Sequence, residues 1–274
     1  MPSLLLSLIF AGCGEPAAPE APPAPAAAQD DPAEPAANAE RPAGEPEIQI
    51  LVDLPEMQKA LTNAGIDVEL SSLVQKRTYD LERADQDLAA VRTGVVLADA
   101  LLTVKTAEKP VLVERMNTVR SGMKRLESGP TIDNTLAELI RVIQVEAASR
   151  EELVASFRDL SIEIISELEF REREKVVPLI EAGAYLEGAN LVARALQQVP
   201  DRSSGDDLLK RGTAVNYFIE FVSTEANDKL SRETRSMLID VLTKLKAVAD
   251  KEGKLSDDDL AMVVSSTEDV LGFL

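Results

Sequence analysis

The stretch Leu81-Glu-Arg-Ala84-Asp-Gln-Asp-Leu88-Ala-Ala-Val91-Arg-Thr-Gly94-Val95-Val-Leu-Ala98-Asp-Ala-Leu-Leu102 decides the fold class. Its apolar residues Leu81, Ala84, Leu88, Val91, Val95, Ala98 and Leu102 alternate spacings of three and four without a slip. That rhythm is one face of a helix and the seam by which helices pack on one another. The surrounding sequence extends the expected helix from about Asp67 to Thr106. Ala90, Gly94 and Ala98, four apart, leave room for a neighbouring helix to come close. Asp85, Arg92 and Asp99 recur every seven residues beside the seam, as flanking charges do.

Outward from this helix, the punctuation is helical throughout. Pro55 suits a first helical position after a short extended entry at Ile48, Ile50 and Val52, and Gly65 suits a helix end. Pro110 opens a helix to about Ser128, Gly129-Pro130 breaks the chain, and Thr131–Ala147 forms the next. Ser149 with Glu152 is a capping box, opening a long helix through Arg173. Pro178 marks a start or a kink, and the residues from Leu179 to Leu196 are apolar on nearly every side, which predicts a central buried helix. Three further helices are expected over about Asp206–Ala226, Ser231–Asp250 and Asp257–Gly272. The fold class is therefore all-α, a multi-helix bundle of about eight helices. Gly94, Leu97, Ala100 and Leu102 line up with Gly183, Leu186, Ala189 and Leu191, so two similar halves are one reading of the bundle and a chance match in an Ala- and Leu-rich chain is the other.

Composition limits function more than it assigns it. The 274 residues are 45% hydrophobic but only 3% aromatic, so the core is built from Leu, Val, Ile and Ala, and stacking platforms for sugars or bases are not expected. The net charge of −19, with basic residues scattered among carboxylates, speaks against nucleic acid as a partner. There is no His, the commonest general base and metal ligand, and a single Cys, so a thiolate metal site or internal disulfide is excluded. No cofactor or metal is expected.

The first 46 residues read differently. Leu4-Leu5-Leu6-Ser7-Leu8-Ile9-Phe10 is too short to span a bilayer and has the character of an export-signal core. Phe10-Ala11-Gly12-Cys13 resembles the lipobox of bacterial lipoprotein signal peptides. The resemblance implies a signal peptide over residues 1–12, a lipidated (palmitate-bearing) Cys13, and anchorage to a cell-envelope membrane. Phe10 stands where the pattern prefers Leu, and no Lys or Arg precedes the apolar run; a weak export signal with a free Cys is the competing reading. Gly14 after the Cys leans toward the outer membrane. Residues 13–46, dominated by Ala, Pro and Glu, bury too little to offset ordering entropy, which predicts a disordered, semi-rigid linker carrying a helical domain over residues 47–274.

Two constellations are candidates for chemistry. Glu187, Asn190 and Arg194 share one face of the apolar helix, and the duplication places Asp99 at a comparable position on its counterpart. Two carboxylates meeting between helices can bind a cation or a small ligand, or act as an acid–base pair. The competing reading is structural: Asp99 flanks a seam, and Glu187 finds Arg194 or another Arg as an internal partner. The second constellation, Val248 to Asp259, resembles an EF-hand calcium loop at Asp250, Glu252, Gly253, Leu255, Ser256 and Asp259, but Val248 replaces the first ligand and Asp259 the bidentate Glu. The alternative there is a Gly-ended helix followed by a helix capped by Ser256. Glu167/Arg171 and Glu169/Arg173 read as a solvated helix face. The expected function is thus that of a non-enzymatic, lipid-anchored interaction or scaffold module. Its partner would be an envelope protein or cell-wall component. The alternative is a small-ligand or cation binder, or a carboxylate-based enzyme, using Asp99 and Glu187.

Overall fold

A computed structural model describes residues 50–66, 68–81, 83–145, 148–200, 205–224 and 230–274. The chain divides into two units, Met1–Pro46 and Glu47–Leu274. The first unit, with the signal stretch, Cys13 and the linker, lies outside the described residues.

Among the described residues the second unit is all-helical, with nine α-helices and no strand: α1 Ile50–Asn63, α2 Gln86–Thr103, α3 Lys109–Arg125, α4 Pro130–Gln144, α5 Arg150–Phe170, α6 Val177–Gln197, α7 Gly212–Thr224, α8 Arg232–Ala249 and α9 Asp257–Phe273. Their ends follow local chemistry. Pro110 and Pro130 sit in the first turns of α3 and α4, where a missing N–H costs nothing. Ser149 and Glu152 close a reciprocal capping box on α5, and Ser256 with Asp259 does the same for α9. Gly65, at φ +74°, follows α1 in the left-handed conformation that releases a chain from a helix.

Several boundaries differ from expectation. Ile50 and Val52 begin α1 rather than an extended entry, and Pro55 falls within the helix. The described residues from 68 to 85 are not helical apart from a single 3-10 turn at Leu70–Ser72; α2 starts only at Gln86. The reason is Asp85, which is a cap and not a flanking charge: its carboxylate accepts the Leu88 N–H at 2.7 Å. Leu81 and Ala84 are buried all the same, held there by tertiary packing outside the helix. Likewise α7 begins only at Gly212: Asp206–Leu208 form a separate 3-10 turn, and the carboxylate of buried Asp206 accepts the Leu255 N–H at 2.8 Å.

Two helices form the centre. α6 is buried along nearly its whole length, as its composition requires, and α2 is too, from Ala89 to Thr103 with only Arg92 half-exposed. They pack chiefly on each other, α2 also on α3, and α6 also on α9. Their crossing is reciprocal. A Cβ at Gly94 would collide with the carbonyl of Ile180, and one at Gly183 with the carbonyl of Val91. Each glycine thus meets the residue three places before the other glycine, the relation expected of two equivalent segments packed about a local two-fold. The outer helices do not follow it: α3 covers α2, whereas α9 covers α6.

Candidate functional site

The site begins with the non-helical segment between α1 and α2. From Val74 to Asp80 the chain runs without regular structure, as a strap tied down at several points. Gln75 Nε2 donates to Glu268 Oε1 of α9 at 3.0 Å. Arg77 Nη1 donates to Glu187 Oε2 of α6 at 2.7 Å, an ion pair whose side chains are 10% and 0% exposed. Tyr79 directs its hydroxyl to the Leu271 carbonyl at 3.5 Å. Arg92 of α2 donates to the Asp80 carbonyl at 2.6 Å and, through Nε, to the carbonyl of Leu274.

Beneath the strap, the structure brings Asp99 and Glu187 together. Both are buried, and their carboxyl groups lie within hydrogen-bonding reach of one another. Burial first, and then the neighbouring Glu187, push the Asp99 carboxyl well above the ordinary carboxylate range, more than Arg115 and Arg77 pull it down. Burial works against the Arg77 charge, but Glu187, with Tyr79 and Asp99 behind it, outweighs that and holds the guanidinium above its usual value. The Tyr79 hydroxyl is also raised, mainly by burial. Oδ1 of Asp99 and Oε1 of Glu187 have no hydrogen-bond partner, nor does Nη2 of Arg77.

The other two candidates are near in sequence but engaged elsewhere. Asn190 Nδ2 donates to Thr267 Oγ1 of α9 at 2.9 Å, and the Thr267 hydroxyl in turn donates to the Val263 carbonyl at 2.7 Å. Arg194 pairs with Glu268 of α9 and not with Glu187. The charged partner of Glu187 is Arg77, a residue that sequence reasoning missed because its segment was read as helix. One signal was available: an Asp followed by the start of an apolar rhythm, Asp85 before Leu88, is an N-cap pattern and places Arg77 outside the helix.

Space is arranged differently from charge. One surface cleft lies at the start of α2 against the α5–α6 turn, lined by Asp85, Asp87, Glu172, Arg173 and Lys175. A second lies between the strap and α3, lined by Tyr79, Leu81, Pro110, Val113 and Asn117. Asp99 and Glu187 line neither.

The calcium-like loop is occupied by capping. Val248 is buried within α8, Asp250 pairs with Lys246 at 2.8 Å, and Asp259 Oδ2 accepts from the Ser256 N–H at 2.7 Å and from Lys251 Nζ at 2.5 Å. Among the described residues, no group of three or more acidic side chains is placed to hold a metal ion. Of the surface pairs, Arg171 and Glu167 join at 2.6 Å, and Arg173 reaches Glu127 across the α3 terminus.

No protein-family model, curated protein or solved structure matches this chain.

Proposed function

We propose that this chain is a lipid-anchored cell-envelope protein whose helical unit is a non-enzymatic interaction or scaffold module. The anchor is Cys13, in the lipobox-like Phe10-Ala11-Gly12-Cys13, and the Pro- and Ala-rich spacer to residue 46 holds the helical unit away from the membrane surface. Its partner is an envelope protein or cell-wall component, with the outer membrane as the favoured address.

One observation carries the non-enzymatic reading. An acid–base pair works only where a substrate atom can approach it within hydrogen-bonding distance. Asp99 and Glu187 instead lie inside the bundle, with Glu187 already joined to Arg77 of the overlying strap. No helix among the described residues is long and apolar enough to cross a membrane, so attachment in this reading falls to Cys13.

The test is a crosslinked pull-down of the full chain from detergent-solubilised envelopes, beside Cys13→Ser. Fatty-acid labelling lost in the variant, with a stoichiometric partner captured only by the anchored form, is the expected result. Labelling that persists without Cys13 removes the anchor from the reading; labelled protein that captures no partner removes the scaffold role.

A second reading is favoured by the unpartnered oxygens of Asp99 and Glu187. In it the pair accepts a small cation or ligand when the strap moves aside. Thermal shifts with alkali and alkaline-earth cations that disappear in Glu187→Gln would support it.

A further inference from the structure

We propose that Asp99 and Glu187 form a proton-holding site: one proton, carried by the Asp99 carboxyl and donated to Glu187, ties α2 to α6 and is released to solvent as the medium turns alkaline. The inference is independent of lipidation and of any partner.

The geometry leads to it in three steps. First, the two carboxyl groups are buried within hydrogen-bonding reach of each other, where two negative charges repel with little screening. A carboxylate is an acceptor only, so two ionised groups at this spacing would have no hydrogen atom between them. A single proton removes the repulsion and supplies the donor.

Second, the local cations are too few to hold both groups ionised. Arg77 from the strap is committed to Glu187. Arg115 from α3 spends Nη1 on the Thr103 hydroxyl at 2.5 Å, with a longer 3.4 Å approach to the backbone carbonyl of Asp99 and not to its carboxyl. From α9, Glu268 is taken up by Arg194 and Gln75. From α5, Arg150 binds the carbonyls of Val104 and Ala107 beyond the end of α2. α1 brings Leu54 and Met57 to this part of α6, beside Gly188. Tyr79 from the strap is a further titratable neighbour among the described residues, and burial keeps its hydroxyl protonated.

Third, the choice of Asp99 as the proton carrier follows from Arg77. Glu187 already accepts a hydrogen bond from the guanidinium through Oε2, which leaves the shared proton to the group without a direct cation. The raised position of the Asp99 carboxyl agrees in direction.

The folded state holds the Asp99 proton more tightly than the unfolded chain does. Its stabilising contribution is therefore full below the pH at which an unfolded Asp titrates, and is lost as the pH rises through the folded value. One extra bound proton makes the folding equilibrium constant fall up to tenfold per pH unit across that interval.

The experiment compares the wild-type chain with Asp99→Asn in urea unfolding from pH 5 to pH 9. The Asn side chain donates to Glu187 as the protonated acid does, without a proton to lose. The expected result is a variant whose stability at pH 9 equals or exceeds that of the wild type, and whose decline with rising pH is shallower by as much as one proton. A variant weakened at pH 9 with the same slope as the wild type overturns the proposal. If Asp99→Asn does not fold, infrared spectroscopy of the wild type decides. A protonated-carboxyl band near neutral pH that moves with 13C-aspartate labelling supports the site, and its absence, or a band that moves only with labelled glutamate, refutes it.

Discussion

Replacing Gly94 by Ala tests the centre of the fold. The side chain added is one methyl, and in an exposed helix this change stabilises by about 1 kcal/mol. Here the new Cβ falls on the carbonyl of Ile180, a backbone atom of α6 that no rotamer change can move. The two helices must separate by about 1 Å or more to reach ordinary contact, and overpacking of a close-packed interior costs typically 1–3 kcal/mol, more when backbone has to shift. With the cost at the upper end and propensity returned, the net loss is about 2 kcal/mol, or a fall in Tm of about 4–8 °C for a unit of this size. Gly183→Ala meets the Val91 carbonyl in the mirrored position and carries a similar cost. Because both act on one crossing, helices already spread by the first methyl have room for the second. The double variant is therefore less destabilised than the two single changes together, by about 1 kcal/mol. Gly272→Ala, with no atom within 4 Å of its added Cβ, is the control and leaves stability unchanged or slightly higher. Urea unfolding of the Cys13→Ser form measures all four. A Gly94→Ala protein as stable as its parent, or strict additivity in the double variant, would refute the close reciprocal crossing.

Other consequences are as specific. Arg77→Met strands Glu187 beside Asp99 with no adjacent cation and destabilises by about 3–5 kcal/mol at neutral pH; Glu187→Gln costs less, because Asp99 can ionise against Arg77, and the opposite ranking in denaturant unfolding would discard this account of the cluster. Ser149→Ala and Ser256→Ala each remove a capping-box acceptor and cost about 0.5–2 kcal/mol, measured as shifts in the urea midpoint with unchanged slope. Acid acts in the other direction from alkali: hydrogen bonds from Arg120 hold Asp133 down at about 2, and those from Lys251 and Ser256 hold Asp259 at about 2. Their support is present above the unfolded Asp value and fades as pH falls toward 2, so a stability profile with no decline between pH 4 and pH 2 would contradict both. Calcium at millimolar concentration leaves the Tm unchanged, since Asp250 and Asp259 already serve Lys246, Lys251 and Ser256; a shift abolished by Asp259→Asn would restore the loop as a site.

Sequence pattern alone carries the helical class and most of the helix ends. Spacings of three and four, Pro110 and Pro130 in first turns, and the Ser149 and Ser256 boxes are local signals, complete within one turn of chain. It also singled out Glu187 and Asp99, because a carboxylate among Leu, Val and Ala is conspicuous wherever it packs. What it could not contain was the identity of their neighbours. Arg77 reaches Glu187 from 110 residues away, and Glu268 reaches Arg194 from 74. Such partners are chosen by how α6, α9 and the strap come together, which no periodicity records. The same holds for the strap itself: residues 74–80 keep an irregular path because Glu187, Glu268, Leu271 and Arg92 hold it from outside. Gly94 shows the division most plainly. Its place in a row of small residues announced a close approach, but only the packed structure decided that the approaching atom is the carbonyl of Ile180. Helix formation is governed by neighbours along the chain, whereas burial of charge is governed by neighbours in space.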